Sequence, residues 1–357
     1  MGLIEIILVG VLSLLLLAET TLIFLPYRQS APPIQVDVPM VSVLVSVRNE
    51  ENHIHKTIES LSEQSYGRYE ILIADDSSTD NTYEVLQKYA ATSDRLRVFK
   101  NKEVTDGQNG KAVALAFLAT QAQGDILAFA DGDAIYPPGW IETMVKKGSG
   151  VGIVSAPVGV TGNWLQDLDW KLYYGRMVLA NEAGFKSSAL GINMVVSKEA
   201  YLTAGGFEKA LYSVVEDFEL NKNIVGSGYM PGMLFEKDVL AVTQSENFSG
   251  LLQQRKRWLQ GIKKLGITLR SLLYARALLL PSIIFFLSIW SIRGVCIYVA
   301  FIFAELVLHF RLLRILEHKT HLLRLLAFGF YQQTLTIILL IYDLMVADVS
   351  WKGRKFN

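Results

Sequence analysis

The chain is poor in the residues that mark several large classes of protein. It has one cysteine among its 357 residues, Cys296, and this residue lies in an apolar stretch. An internal disulfide and a cysteine metal site are therefore both excluded. The 34 Lys and Arg residues balance 34 Asp and Glu residues, so the formal net charge is zero. Without an excess of basic residues, the composition gives no sign of a nucleic-acid partner.

Apolar residues, by contrast, are abundant. They make up 51% of the chain and give a mean hydropathy of +0.30, too apolar for an ordinary soluble protein. Residues 3–25 form a run long enough to span a bilayer. The run contains Glu5 and Glu19 but no Lys or Arg before Arg28, so it lacks the basic start of a cleaved signal peptide. We predict an uncleaved anchor over residues 1–28, and the positive-inside rule places the following domain in the cytoplasm.

The last part of the chain, residues 261–357, is predicted to form interfacial and transmembrane helices with a short basic tail. Candidate spans are, in order, residues 274–291, 294–310 and 325–345. The basic link between the last two is expected to be cytoplasmic. One span before the domain and three after it would place the basic tail on the outer side, against the same rule. Either one candidate is an interfacial helix, or the tail is an exception.

The middle of the chain, residues 36–260, alternates between strand and helix patterns. Strands are predicted over residues 41–47, 70–74, 96–99 and 125–130, and helices over residues 52–64, 82–89 and 110–122. Such alternation indicates a doubly wound, mostly parallel α/β sheet, with functional groups at the carboxyl ends of its strands. A dinucleotide-binding oxidoreductase is disfavoured, because Arg-Asn-Glu-Glu follows the first strand where G-x-G-x-x-G would be needed.

Two aspartates separated by one glycine, Asp131 and Asp133, follow the apolar run of residues 126–130. A buried strand here would bring both carboxylates to its carboxyl end, where ligands bind in open α/β sheets. Carboxylates this close repel each other unless a cation lies between them, and hard oxygen ligands suit Mg²⁺ or Mn²⁺. Such an ion commonly bridges to the phosphates of a substrate. Taken alone, the motif is equally typical of a solvated turn.

Three further clusters occur in the same part of the chain: Asp75 with Asp76, Glu216 with Asp217, and Gln254 to Trp258. Each has an ordinary structural explanation. The first could open a turn, the second could be a solvated helix face, and the third could be a basic anchor beside the membrane. Their joint order and spacing favour one shared site.

This order resembles the family 2 glycosyltransferases, membrane-bound members of the GT-A fold. The resemblance covers about residues 41–258 and rests on Val47-Arg-Asn-Glu-Glu51, Asp75-Asp-Ser-Ser-Thr-Asp80, Gly110-Lys111, Asp131-Gly-Asp133, Gly205-Gly-Phe207, Glu216-Asp217 and Gln254-x-x-Arg257-Trp258. The last motif is similar to the signature of cellulose, chitin and hyaluronan synthases and of ceramide glucosyltransferases. The resemblance implies a GT-A-type catalytic domain over residues 36–260, between N-terminal and C-terminal transmembrane helices.

The resemblance also implies a role for each matched residue. It places the nucleotide against Asn49, Glu50, Asp75, Asp76 and Lys111. It implies that Asp131 faces the ribose, the diphosphate or the divalent ion, and that Asp133 is the main ligand of Mg²⁺ or Mn²⁺. It assigns the general base to Asp217. It also implies that the diphosphate is covered, and the acceptor entrance framed, by Gln254, Arg257 and Trp258.

The activity implied by the resemblance is transfer of a sugar from a UDP-sugar to an acceptor. One base and a direct in-line attack invert the anomeric centre, so an α-linked donor gives a β-glycoside. Because the chain has few candidate spans, we expect a membrane lipid as the acceptor. An integral protein of the inner (cytoplasmic) membrane is expected. A processive polysaccharide synthase of the same superfamily and an inactive scaffold homologue are the alternatives.

Overall fold

The computed structural model describes residues 2–27, 38–101, 104–105, 107–148, 150–185, 189–346, 348–351 and 354–356. Arg28 and the first residues of the basic tail, 352 and 353, lie outside this set. Contacts divide the chain into two units. We call residues 1–28, 165–186 and 246–349 the helical unit, and residues 29–164, 187–245 and 350–357 the sheet unit.

The strands are, in chain order, β1 (Val41–Val47), β2 (Tyr69–Asp75), β3 (Leu96–Lys100), β4 (Ile126–Asp131), β5 (Ile153–Ser155), β6 (Val158–Thr161), β7 (Asn193–Ser197), β8 (Pro231–Met233), β9 (Ala241–Gln244), β10 (Val349–Trp351) and β11 (Arg354–Phe356). The helices are α1 (Leu3–Phe24), α2 (Ile54–Ser62), α3 (Thr82–Ala90), α4 (Gly110–Gln121), α5 (Trp140–Gly148), α6 (Trp164–Glu182), α7 (Lys198–Ala204), α8 (Glu216–Gly226), α9 (Phe248–Lys263), α10 (Ile267–Ala275), α11 (Leu279–Ser288), α12 (Ile292–Ile315) and α13 (Leu322–Met345).

The sheet unit is built on a seven-stranded sheet with the order β3-β2-β1-β4-β7-β5-β8. Strands β3, β2, β1 and β4 are mutually parallel, and β7 runs antiparallel to both β4 and β5. The predicted doubly wound, mostly parallel α/β sheet is therefore confirmed. The parallel strands form from apolar, largely β-branched runs whose side chains are buried, and α4 packs its alanine-rich face on Leu44, Leu72 and Phe129.

The parallel register fixes the edge at which the site residues emerge. Val47, at the end of β1, lies opposite Asp75 on β2, and Ser46 lies opposite Asp131 on β4. The carboxyl ends of three neighbouring strands therefore meet within one residue of each other. The aspartates that follow two of these strands share one edge of the sheet.

Among the described residues, the helical unit contains four helical segments that are long and apolar enough to cross a membrane: Leu3–Phe24, Ile267–Ser288, Ile292–Ile315 and Leu322–Met345. Three of them match the anchor and the last two predicted spans. The remaining predicted span, residues 274–291, begins earlier in the structure, because α10, a short 3₁₀ turn at Arg276–Leu278 and α11 follow one another without a break.

Candidate active site

The loop that carries Asp131 and Asp133 is fixed from several sides. A side chain at Gly132 would lie 2.5 Å from Val47 Cγ1, so the close approach of this loop to β1 requires glycine. The hydroxyl of Thr57 donates to the Gly132 carbonyl at 2.9 Å. These contacts hold the two carboxylates at the carboxyl edge of β4 before any ligand arrives.

The phenol of Tyr136 is the innermost support of the same loop. Its oxygen accepts a hydrogen bond from the Asp131 amide at 2.9 Å and donates one to the Ile192 carbonyl at 2.7 Å. Burial of this side chain, reinforced by the charge of Asp131, raises the pKa of Tyr136 well above its ordinary value. The phenol therefore stays protonated and keeps both bonds across the physiological pH range.

Lys111 lies between two carboxylates. Its ammonium nitrogen is 2.5 Å from Asp131 Oδ1 and 3.7 Å from Glu216 Oε1. The side chain is nine-tenths buried, so water screens these ion pairs little. The lysine thereby joins the β4 edge to the start of α8, the helix that carries the predicted base.

Asn109 makes the same connection with neutral groups. Its side-chain oxygen accepts from the amides of Lys111 and Ala112, which caps α4. Its amide nitrogen donates to Glu216 Oε2 at 2.9 Å and to the Ser213 carbonyl at 2.8 Å. One buried amide therefore fixes the first turns of α4 and α8 relative to each other.

Asp217 stands in the first turn of α8, next to Glu216. Its Oδ2 accepts a hydrogen bond from the Gly191 amide at 2.8 Å, and its Oδ1 accepts one from the Phe218 amide at 2.8 Å. In both bonds the carboxylate is the acceptor, so they orient it without requiring it to be protonated. Each oxygen keeps a lone pair that can accept a further proton donor, such as a sugar or lipid hydroxyl.

The two aspartates after β2 are both buried, but their oxygens are used differently. Asp76 Oδ1 accepts a hydrogen bond from the Asn101 side chain at 2.9 Å. Asp75 Oδ2 accepts from the Ser78 amide at 3.2 Å, whereas Asp75 Oδ1 is buried with no hydrogen-bond partner among the described residues. A buried carboxylate oxygen without a hydrogen-bond partner is costly, so this oxygen is a candidate acceptor for a donor group from outside the chain.

The loops around Asp75 and Asp76 hold one another in place. Asn49 adopts a left-handed backbone conformation (φ +55°), and its side-chain oxygen accepts from the Thr79 amide at 2.8 Å. The Arg48 guanidinium donates to the Asp76 carbonyl at 2.7 Å. Glu50 is buried, and its amide donates to the Thr82 hydroxyl at 2.8 Å. Asn49 and Glu50, both predicted to line the nucleotide pocket, therefore lie in the loop that adjoins the two aspartates.

The carboxylates of Asp131 and Asp133 are the candidate ligands of a divalent ion. No cluster of three or more acidic, histidine or cysteine side chains is found in the described part of the chain. Mg²⁺ and similar ions are often held by one or two carboxylates and complete their shell with waters and substrate phosphates, so two are enough. Asp131 Oδ1 is bound by Lys111, and Asp133 Oδ2 accepts from the Thr243 hydroxyl at 3.2 Å.

The predicted closing motif lies on α9, in the helical unit, whereas all the other predicted site residues belong to the sheet unit. The Arg255 guanidinium lies 4.0 Å from the centre of the Trp258 ring and pairs with Asp169 on α6 at 2.6 Å. Trp170 meets Trp258 edge-on at 4.6 Å, and Tyr173 stacks on it at 6.0 Å. Trp258 is thus held by its neighbours on α6 and α9.

The remaining two residues of this motif flank Arg255 and Lys256. Arg257 is half-buried, and Gln254 Oε1 is buried with no hydrogen-bond partner among the described residues. The sequence interpretation missed Arg255, which is the buried arginine of this segment. It also missed Asn109, although an asparagine directly before a predicted helix is a typical N-cap.

Comparison with known proteins identifies the family. The family described as glycosyl transferase family 2 matches residues 42–162, and the one described as glycosyl transferase family group 2 matches residues 127–317, more than half of the chain. The chain belongs to the family 2 glycosyltransferases.

Similar proteins include the glycosyltransferase AglE of Haloferax volcanii, 28% identical over 62% of this chain and 72% of that protein. The beta-monoglucosyldiacylglycerol synthase of a Nostoc species is 35% identical over 36% of this chain, and the match spans 28% of that relative. Among solved structures, the mannosyltransferase PcManGT from Pyrobaculum calidifontis, in complex with GDP-Man and Mn²⁺, has a TM-score of 0.59 at 20% identity. The alignment covers 95% of this chain and 99% of that one, which supports the GT-A fold.

Proposed function

We propose that this glycosyltransferase inverts the anomeric centre of a UDP-sugar and transfers the sugar to a membrane lipid at the cytoplasmic face. The observation that best supports it is the carboxylate of Asp217. Two backbone amides orient this carboxylate, and Glu216, Asn109 and Lys111 connect its helix to Asp131. The candidate proton acceptor and the sheet edge proposed to bind the diphosphate are therefore linked by direct contacts.

In the proposed reaction, the acceptor hydroxyl gives its proton to Asp217 as its oxygen attacks the anomeric carbon. The bond from that carbon to the diphosphate oxygen breaks on the opposite side, and the diphosphate leaves with the bonding pair. An α-linked donor therefore gives a β-glycoside. A divalent ion on Asp131 and Asp133 would supply positive charge to the leaving diphosphate. We assign Gln254, Arg257 and Trp258 to closure over this diphosphate and to the acceptor entrance.

The donor base is assigned to the pocket after β2. Asp75 Oδ1, which has no hydrogen-bond partner in the described part of the chain, suits a single ring N–H such as that of uracil. We assign Asp76, Asn49, Glu50 and Lys111 to the same nucleotide pocket. PcManGT is described with GDP-Man, so a guanine nucleotide is the natural competitor in a donor test.

A lipid acceptor is supported by the names of two relatives. One is the beta-monoglucosyldiacylglycerol synthase above, and the other is the GalNAc(5)-diNAcBac-PP-undecaprenol beta-1,3-glucosyltransferase of Campylobacter jejuni, 32% identical over 111 residues. Both names describe products carried on a lipid. The four long apolar helices found in the described residues support a membrane location, where a lipid acceptor would be available.

The test uses membranes that contain the protein, a panel of radiolabelled UDP-sugars with GDP-mannose, and Mg²⁺ or Mn²⁺. Products are separated between organic solvent and water. We expect label from one UDP-sugar in the organic phase, lost with EDTA and in the Asp217→Asn variant. Label in large water-soluble chains would identify a polysaccharide synthase instead, and label from GDP-mannose would overturn the donor assignment.

A further inference from the structure

Strands β4 and β7 separate at the edge of the sheet that carries the candidate site. They pair antiparallel as far as Ala130, which lies opposite Asn193. The Asn193 carbonyl accepts from the amide of Ala156, directly after β5, at 2.9 Å, so the backbone groups of Asn193 face β5. Because the backbone groups of a strand face its two neighbours alternately, those of Ile192 face β4. Asp131 and Ile192 would therefore form the next hydrogen-bonded pair of the ladder.

The hydroxyl of Tyr136 occupies the place of that hydrogen bond. Its oxygen accepts from the Asp131 amide at 2.9 Å and donates to the Ile192 carbonyl at 2.7 Å. Both backbone groups are thus satisfied, but through a side chain. A direct bond between them would require the two strand ends to approach each other by about the width of a hydroxyl group. The phenol therefore keeps the ends of β4 and β7 apart.

The position of this phenol is fixed by its own neighbours. Directly before it, Ile135 and Val242 exchange two backbone hydrogen bonds, at 2.8 and 2.9 Å. The ring is buried and packs on Trp140, with the ring centres 4.4 Å apart. The indole nitrogen of Trp140 donates to the side-chain oxygen of Asn193, the first residue of β7, at 2.8 Å. Packed groups therefore set the gap between the two strand ends.

Asp217 is held by the residue next to this gap. Gly191, one position before Ile192, donates its amide to Asp217 Oδ2 at 2.8 Å. A side chain at Gly191 would lie 3.0 Å from Asp217 Cβ and 3.1 Å from Oδ2, so a larger residue would displace this carboxylate. Two consecutive residues therefore hold the two halves of the site. Gly191 holds the candidate base, and Ile192 holds the backbone of Asp131 through the phenol.

We propose that Tyr136 is a positioning residue for the transfer reaction, and that its hydroxyl sets the spacing between the carboxylates of Asp131 and Asp217. This role rests on the proposed function, in which Asp131 faces the leaving diphosphate and Asp217 takes the proton of the acceptor. In-line attack needs both groups in register with the anomeric carbon, and a displacement of about 1 Å can cost about 10²-fold in rate. The link through the phenol uses neutral groups and complements the charged link through Lys111 and Glu216.

The test replaces Tyr136 by phenylalanine, which keeps the ring and removes the oxygen between the strands. Transfer is measured in membranes with the donor that the wild type uses. We expect kcat to fall about 10-fold or more, because the strand ends either lose their bridge or close the gap. The KM for the donor should change little, since the base pocket after β2 is not altered.

Tyr69→Phe is the matched control for the loss of a buried phenol. The Tyr69 hydroxyl donates to the Ser62 carbonyl at 3.0 Å, at the start of β2 and so at the opposite end of the parallel strands. This variant should lose some stability and keep the wild-type kcat. An unchanged kcat in Tyr136→Phe, beside an inactive Asp217→Asn, would overturn the inference. Full activity of Asp217→Asn would count against the proposed function instead.

A double variant tests whether Tyr136 and Gly191 act through one connection. Gly191→Ala keeps the phenol but displaces Asp217, and it should also lower kcat about 10-fold or more. Independent effects would multiply, whereas two changes that break the same connection should together cost little more than the more harmful one alone. Multiplied losses, about 100-fold or more in the double variant, would therefore contradict the shared connection.

Hydrogen exchange followed by mass spectrometry tests the connection without a substrate. In the full chain in detergent, Tyr136→Phe should speed exchange in the peptides that contain Asp131, Gly191 and Phe218, whereas Tyr69→Phe should leave all three at the wild-type rate. Faster exchange at Asp131 alone would show that the phenol supports only its own loop, and it would overturn the inference even if no donor were found. If Tyr136→Phe does not fold, Gly191→Ala takes its place and should speed exchange at Asp131.

Discussion

The two units of the molecule each bury an ionic cluster, and the two clusters are built differently. In the helical unit, Arg176 lies 3.2 Å from both Glu19 and Glu305, and Arg276 pairs with the same two glutamates. Two cations face two anions, and each charge has two partners. In the sheet unit, the single ammonium of Lys111 serves two carboxylates, and the neighbouring Asp217 is held by backbone amides.

This difference distinguishes a junction from a site. The helical-unit cluster is neutral and leaves no charge for a ligand, so it joins α1, α6, α12 and the 3₁₀ turn at Arg276–Leu278. In the sheet unit, the carboxylates of Asp131 and Asp133 follow the same strand, and such a pair favours a divalent cation and the phosphates that it carries. Burial alone therefore does not distinguish a structural ion cluster from a candidate binding site, whereas the balance of charge within the cluster does.

The largest effect is expected at Asp217. The Asp217→Asn variant keeps an oxygen for the Gly191 amide but cannot take a proton from the acceptor. Because the variant loses one of the two backbone hydrogen bonds, the one from the Phe218 amide, we expect a small decrease in the unfolding temperature, whereas kcat should fall by about 10²- to 10⁴-fold. Glu219→Gln, which alters an acid on the same helix, is the matched control and should keep most activity. Equal losses in both variants would remove Asp217 from the role of base.

A substitution in the helical-unit cluster is expected to lower the stability of the protein. Arg276→Met leaves Glu19 and Glu305 with one arginine between them, and an unpaired buried charge costs about 3–5 kcal/mol of unfolding free energy. Adding Glu305→Gln restores neutrality and should recover much of that loss. Thermal unfolding in detergent measures both variants. If the double variant were no more stable than the single one, charge balance would not explain the cluster.

Much of the sheet unit could be predicted because its signals are local. The apolar runs that became β1, β2 and β4 are continuous and end at polar residues, so the edge bearing Asp75 and Asp131 followed from strand direction alone. Family membership and the mostly parallel sheet are confirmed. The role of each site residue stays a prediction, since no contact in the protein alone reveals a substrate.

The rest depended on contacts between distant residues. Arg255 and Asp169 are 86 positions apart and lie in no recognisable pattern, so their ion pair had no signal in the sequence. The apolar composition of α13 is the same whether the helix crosses a bilayer or lies along it.

Substitution of Asn109 tests, within the sheet unit, whether this residue positions α8. Asn109→Asp keeps a side-chain oxygen that caps α4, but it replaces the amide donor by a second acceptor beside Glu216 Oε2, which lies 2.9 Å away. Because α8 would shift, we expect kcat/KM to fall about 10-fold or more, equivalent to about 1.4 kcal/mol. The double variant Asn109→Asp/Glu216→Gln restores a donor and should regain activity. Kinetics that are unchanged in the single variant would show that Asn109 does not position α8.

The smallest effect is a pH dependence of stability in the link between α12 and α13. Burial, and then the Lys171 ammonium 3.2 Å away, lower the pKa of His318 below its ordinary 6.5, while Asp167 opposes this shift. The unfolded chain therefore binds the proton more readily than the folded one. The stability contributed by neutral His318 is complete above about pH 6.5 and is lost as the pH falls. We expect the unfolding temperature of the wild type to fall more steeply than that of His318→Asn between pH 7.5 and 5.5. Because the group is half-buried and one charge is involved, the difference should be about 1 kcal/mol or less. Parallel slopes would mean that protonation of His318 does not contribute to the pH dependence of stability.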